Sequence, residues 1–369
     1  MKGLTNYLFL FLIAGVSSLG AASGSITFLD GDVTIQRNGK TIPSSQIDIG
    51  TEVENFDLIS TGRSSSVEIE LNARTGINGS INLAANSAFH LELSDMKANQ
   101  TAGVELMAGN VSLKVSKMLG GSGLEVRTGS AVMGVRGTAF RVIISAGGDL
   151  LVTTSEGKVQ CSSDGGPVVF SQPGTVVENL GEEKMQSKTM SVASLAGFER
   201  DWQSGRMEAL RSNAPRAIKN FATRYEQLYA QFNRAYDRMT TEALPTITKW
   251  TRESTNNTMA SRVDVLKEKK LVITHLMAMK RASYILERVY YRLAELNEYV
   301  ENGSVTGELR RGYTYKDFYK QFNVDRLNLQ NKLGFTRFIM KLYALRNEGS
   351  VPTDTGGDSA LDNVEDFFN

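Results

Sequence analysis

The chain changes its period once, and that change constrains the fold more than any other feature. From Ser25 to about Asn179 the text runs in short alternating segments broken by glycine, among them GDVTIQRNG, SSSVEIELN, AFHLEL, GNVSLKV and DLLVTT. Period-two alternation punctuated by turn residues predicts many short strands and an all-β unit. Several segments open on Gly-Asx or Gly-Ser, at Gly31, Gly79, Gly109 and Gly148. That recurrence, though irregular, predicts a coiled, solenoid-like β architecture of stacked rungs rather than a flat sandwich.

After the polar stretch ENLGEEKMQSKTM the period lengthens to three and four. Ile218, Phe221, Tyr225, Leu228, Phe232, Ala235 and Met239 form one helical seam, which Pro245 closes or kinks. A second seam runs through Val272, His275, Met279, Ala282, Leu286, Val289, Leu293, Leu296 and Val300 to the stop signal Asn302-Gly303. A third, less regular helix is expected over Tyr315 to Arg346, with Phe318, Phe322, Leu333, Phe338, Leu342 and Leu345 on its apolar face. The fold class that follows is α+β multidomain: an N-terminal all-β domain, then an elongated three-helix bundle.

The first residues place Lys2 before the apolar run Tyr7–Val16 and the small residues Gly20-Ala21-Ala22. That is the layout of a cleavable secretory signal, too short to span a bilayer. No cysteine follows the run to carry a lipid, and no later segment is long and apolar enough to span a membrane. The expected location is therefore beyond the inner membrane, in the periplasm or envelope of a bacterium. The expected division is a signal over 1–22, a β domain over 25–180, a linker over 181–194, a helical bundle over 195–348 and a disordered acidic tail over 349–369.

With 369 residues and 41% hydrophobic content, the chain can bury a sizeable core. Its 41 basic and 40 acidic side chains nearly cancel. They are unevenly placed, with roughly five more acids than bases in the β part and roughly ten more bases than acids in the helical part. A basic helical face suits an anionic partner, and equally a solvated bundle surface. Nucleic acid would be an odd partner outside the cell.

Catalytic constellations are absent. Cys161 stands alone, His90 and His275 lie far apart, and no HExxH or GxSxG occurs, so neither a cofactor nor a metal is expected. Glu68 and Glu70 share a strand face and could in principle form a glycosidase pair, but alternating apolar neighbours mark them as its wet side. The chain is read as no enzyme.

The stretch VRTGSAVMGVRGTAFRV, Val126 to Val142, poses the sharpest question. Its glycines suggest a phosphate loop, but such a loop needs GxxxxGK[ST] opening a helix, and here Thr138-Ala139-Phe140-Arg141-Val142 continues as a strand. GVRGTAF, Gly134 to Phe140, resembles the central signature of the FecR-like domain. The match extends to GDLLVTTSEGKVQ (148–160), to VELMAGNVSLKV (104–115) and to GTEVENFDLISTGRSSSVEIEL (50–71), where Phe56-Asp57 replaces the family's Gly-Asp. The resemblance covers the β part alone.

It implies coiled β-strands that bind and signal in the periplasm without catalysis. The best-known members carry a cytoplasmic anti-sigma segment and a membrane span ahead of this domain. Here a signal-like stretch stands in that place, so the expectation is an envelope-side interaction module rather than direct sigma-factor regulation. Gly129, Gly134, Val135, Arg136, Gly137, Thr138 and Phe140 are the expected structural motif. In it, Gly134 and Gly137 supply positive φ or close approach at a corner, Val135 and Phe140 pack inward, and the Arg136 guanidinium binds turn carbonyls.

Candidate partner-binding residues are Tyr225, Tyr229, Arg234, Tyr290, Tyr291 and Arg292, because tyrosine and arginine dominate interface hot spots. The same spacing also suits the core and flank of the bundle. The functional expectation is a scaffold, adaptor or signalling module that binds another envelope protein or self-associates. The alternative is a peptidoglycan- or glycan-binding protein.

Overall fold

The computed structural model describes residues 22–72, 77–93, 102–116, 124–163, 166–181, 184–259 and 265–347. The expected signal and acidic tail lie outside these residues. Among the described residues, seventeen strands between Gly24 and Thr189 join in one mostly antiparallel network with no closed barrel. The chain passes repeatedly between two ladders. One holds strands Gly24–Asp30, Ser66–Leu71, Gly79–Leu83, Thr138–Ile144 and Leu150–Glu156; the other holds Val33–Arg37, Leu58–Thr61, Ala88–Glu92, Leu124–Arg127 and Val132–Val135. Strand Ala102–Val115 belongs to both. Its first half pairs with Ala88–Glu92 and, in parallel, with Leu124–Arg127, and its second half with Gly79–Leu83 and Thr138–Ile144.

Alternation explains the core between the ladders. In SVEIEL, Val67, Ile69 and Leu71 are buried while Glu68 and Glu70 face outward. Other strands break the alternation: Ala88–Leu91 is buried at every position. Strands covered on both faces lose the period-two pattern, and here helices supply the second cover.

Five helices lie among the described residues, where the sequence predicts three: α1 (Leu195–Ser212), α2 (Ala214–Glu242), α3 (Leu244–Thr255), α4 (Leu266–Glu301) and α5 (Tyr315–Arg346). Pro245 ends α2 in effect by occupying the first turn of α3, where its missing N–H has no intrahelical partner to lose. α1 escaped the periodic reading because only Glu199, Trp202 and Leu210 are buried along it. The α2 seam is buried except at Ala235, which is half-buried. On α4, Leu276 and Tyr299 take the buried steps expected of His275 and Val300, and His275 Nε2 instead lies 3.1 Å from Glu242 Oε2. On α5, Leu345 is exposed.

Segment 181–194, expected as a linker, carries strand Gln186–Thr189, which extends the first ladder beside Thr175–Asn179. Its four side chains are all exposed, so no hydrophobic alternation announced it. α1 lies on the outside of the first ladder, where Trp202 packs with Ile143, Leu151 and Val176. α4 and α5 cover the outside of the second.

Candidate functional site: the row beneath the helices

Cross-strand register aligns Gln36, Leu58, His90, Glu105 and Arg127 in one row across the outer face of the second ladder. α4 and α5 close over this row, and the contacts are largely ionic. Arg288 of α4 donates from Nη2 to Glu105 Oε1 at 2.7 Å and from Nη1 to the Tyr284 carbonyl at 2.7 Å. Its guanidinium lies 3.4 Å over the Tyr284 ring, whose hydroxyl reaches the Thr128 carbonyl at 3.3 Å. Arg337 of α5 donates to Gln36 Oε1 at 2.6 Å and forms an ion pair with Glu287 of α4. Gln36 Nε2 in turn donates to the Gln330 carbonyl at 2.8 Å.

Burial sets the charge states. Burial raises the pKa of Glu105, but Arg288, by charge and hydrogen bond, and Arg337 outweigh it and hold this carboxyl below the usual range. Glu287 is raised by burial, which Arg337 only partly opposes. His90 is lowered to about 3, first by burial and then by Arg337, so its imidazole is neutral and its Nε2 has no hydrogen-bond partner among the described residues. Cys161 is buried and its thiol is pushed up to about 12 by burial, which leaves it unreactive at neutral pH.

A second anchor sits at Phe56. Its φ of 70° is left-handed, a region costing a non-glycine residue roughly 1–2 kcal/mol. The ring is buried within the helical core, not the β core. Beside it, Asp57 accepts a forked pair from Arg37 Nε (3.0 Å) and Nη2 (2.6 Å), and Lys341 of α5 reaches Glu54 at 3.0 Å and Asn38 at 2.9 Å. Phenylalanine in place of glycine therefore accepts backbone strain in exchange for an aromatic contact with the helices.

The motif residues divide. Gly137 has φ 63°, and a Cβ on Gly157 would lie 2.7 Å from its carbonyl oxygen, so this corner is tight. Gly134 departs from expectation: its φ lies outside the left-handed region, and a Cβ there would meet only Gln160 Cβ at 4.0 Å. Arg136 also departs, since it is exposed and makes no hydrogen bond among the described residues. Val135 and Phe140 are buried, as is Thr138. Gly129 is held by a contact outside the β region, because a Cβ there would lie 2.6 Å from Arg288 Nε.

Of the aromatic and arginine candidates, Tyr225 and Tyr290 lie in the helical core, with rings 5.1 and 5.4 Å from Phe322. Tyr229 stacks on Tyr225 and is half-buried, while Arg234 is exposed. Tyr291 packs against the β residues Leu58, Ala88 and Met107, and Arg292 lies over the loop at Gly148. Sequence reasoning missed Arg288, Glu287 and Arg337. The one available signal was Arg337 in the apolar run LGFTRFIM, a charge on a helix apolar on several faces.

The family model described as FecR protein matches residues 57–160, as the motif in Val126–Val142 led us to expect. This region is similar to the FecR protein family, and we refer to it as the FecR segment. It holds Leu58, His90, Glu105 and Arg127 of the covered row, and the helices that cover them lie outside it. Two crystal structures of a candidate anti-sigma factor from Parabacteroides distasonis ATCC 8503 are similar over 38% of this chain, at 18% identity and a TM-score of 0.33 in each case. This chain spans 63% and 64% of theirs, a little under two thirds. No curated protein matches.

Proposed function

We propose that the chain is a non-enzymatic adaptor or signalling module of the bacterial envelope, acting beyond the inner membrane by engaging another protein. The observation that carries this reading is the clamp between the FecR segment and its helices. Arg288 connects Glu105 to the wall at Gly129, so a partner that shifts α4 also disturbs the FecR motif loop. Ionic interfaces of this kind resemble transient protein contacts more than domain cores. The exposed side of α2, with half-buried Tyr229 and exposed Arg234, offers a surface to the partner, or to a second copy of the chain.

Photo-crosslinking from position 234 in intact cells tests this reading, with a discrete protein adduct in the envelope fraction as the expected result. A strictly monomeric purified chain with no protein adduct contradicts it. No helix among the described residues is long and apolar enough to cross a membrane.

A second reading, peptidoglycan or glycan binding, is favoured by the opposite face. There Glu68, Asn82, Ser112, Arg141 and Thr153 align in register across the first ladder and line an open groove beside α1. Side chains spaced by the ~4.8 Å strand separation offer alternating donors and acceptors to a polymer of hydroxyls. Sedimentation with purified cell wall, lost in Asn82→Ala, supports it; a chain that stays in the supernatant refutes it.

A further inference from the structure

At the Gln36 end of the covered row the helices and the β face do not close fully, and a cavity of about 160 Å³ remains between them. The register explains the gap. Gln36 pairs with Thr41 and Leu58, and Thr34 with Ser60, so period two sets Thr34 and Ser60 on the same outer face as Gln36 and Leu58. Thr34, Thr41 and Ser60 are short, where Glu105 and Arg127 further along the row are long. Opposite them, α4 presents Glu287, Tyr290 and Tyr291, and α5 presents Arg326, Gln330 and Arg337, which stack on one face of that helix. Every lining residue belongs to a strand or a helix and lies inside the described spans 22–72 and 265–347, so regular structure frames the cavity on all sides.

The walls sort by chemistry. Leu58 and Leu333 are buried and, with the rings of Tyr290 and Tyr291, give the cavity its apolar surface. Gln330 Nε2 donates to the Tyr290 hydroxyl at 3.2 Å, and that hydroxyl also interacts with the Arg326 guanidinium. The Tyr291 hydroxyl interacts with Ser60. Thr34 is half-buried and Thr41 exposed, and neither hydroxyl bonds to the protein among the described residues. The lining sets two cations, Arg326 and Arg337, against the single carboxylate of Glu287, which is paired with Arg337. Arg326 is exposed and so stands at the mouth, where it sets the charge of a guest.

Size and chemistry together define that guest. A cavity of about 150 Å³ accepts one benzene-sized ring. Hydroxyls on such a ring suit the threonines and the Gln330–Tyr290 pair, its C–H face suits the leucines, and one carboxylate suits the planar guanidinium fork. Apolar walls with a few placed polar groups are the usual make-up of a ligand pocket. We propose that this cavity binds a hydroxylated carboxylate of single-ring size, of the class of a uronic acid, with Arg326 on the carboxylate and Thr34 and Thr41 on the hydroxyls. The site needs neither the protein partner nor the wall polymer proposed above. Because strands and both helices share it, an occupant fastens the junction at its Gln36 end.

The test follows the melting temperature of the full chain at constant ionic strength with three probes: glucuronate, glucose, which lacks the carboxylate, and benzoate, which lacks the hydroxyls. Glucuronate is expected to give a saturable rise, and each of the other two a response about tenfold weaker. Arg326→Gln, at an exposed position, is expected to weaken glucuronate binding about tenfold, the loss of one charge-assisted contact, and to leave the response to glucose unchanged. Should that variant fold poorly, Thr41→Val, also at an exposed position, keeps the branched shape that suits a strand and is expected to weaken glucuronate binding about fivefold. The proposal is overturned by the absence of a saturable rise with glucuronate, by glucose or benzoate binding as tightly as glucuronate, or by an undiminished glucuronate response in either variant.

Discussion

Two polar rows cross the outer faces of the β region, and they meet different fates. The row Glu68–Asn82–Ser112–Arg141–Thr153 remains largely open, touched only at its end by α1, where Glu199 accepts from Arg141 at 2.6 Å and Thr153 at 2.5 Å. The row Gln36–Leu58–His90–Glu105–Arg127 is roofed by α4 and α5. The same period-two rule placed both rows outward. Only the second became an interior, and it did so with its charges in place. The comparison teaches that the helices docked largely on polar groups that a free β unit would present to water, with apolar contacts at Phe56 and Tyr291 beside them.

Such a junction is sensitive to losing one partner and tolerant of losing both. Arg337→Ala strands Glu287 and Gln36 in the buried interface, and a loss of about 3–5 kcal/mol is expected, read as a fall in urea midpoint. The double change Arg337→Met with Glu287→Leu should recover most of it. Stability of the double variant no better than the single one would break the contrast between the ionic junction and the apolar cores. Phe56→Gly comes next: it relieves roughly 1–2 kcal/mol of backbone strain but removes an aromatic ring whose loss costs about 3–5 kcal/mol. A net loss of about 2 kcal/mol is expected, with faster hydrogen exchange in α5 and little change in the β strands.

Gly129→Ala should cost about 1–2 kcal/mol by displacing Arg288 from Glu105. Gly134→Ala, in the same motif but with open space around it, should change stability by less than about 0.5 kcal/mol. Equal effects at the two glycines, measured by thermal melting, would remove the steric argument.

The last contrast concerns pH. His90 has its pKa lowered from an unfolded value near 6.5 to about 3, so the unfolded chain binds the extra proton between those limits. Its contribution to stability is therefore full above pH 6.5 and is lost as pH falls, with a slope of up to about 1.4 kcal/mol per pH unit. Glu287 and Glu92, raised by burial, act in the opposite sense as they gain protons in the folded chain. His90→Gln should flatten the wild-type slope between pH 6.5 and 5. An unchanged slope would mean that the imidazole is solvated and the row is not covered.

Much of this was legible in the sequence, for physical reasons that also mark where legibility stops. The α2 seam could be read because one face of that helix is buried and the other is wet. The FecR motif could be read because Gly137 needs a conformation few residues adopt. α5 was less regular because it is buried on several sides, with Phe318 and Phe322 toward the helices and Arg337 toward the β face. α1 and strand Gln186–Thr189 bury too little to leave a pattern. The covered row was hidden most deeply, since Glu105 and Arg288 are far apart in sequence and each looks like an ordinary surface charge. Phe56, standing where the family has glycine, left a trace of the junction beside the one at Arg337.

The central claim is that the FecR segment and its helices are coupled through Glu105 and Arg288. A double-mutant cycle with Glu105→Gln and Arg288→Met tests it most directly, with urea unfolding as the readout. The account predicts a coupling energy of about 1.5–3 kcal/mol, with the double variant more stable than the sum of the single losses. Single losses that add within about 0.5 kcal/mol would mean that the two residues act independently and that the helices are held by something else.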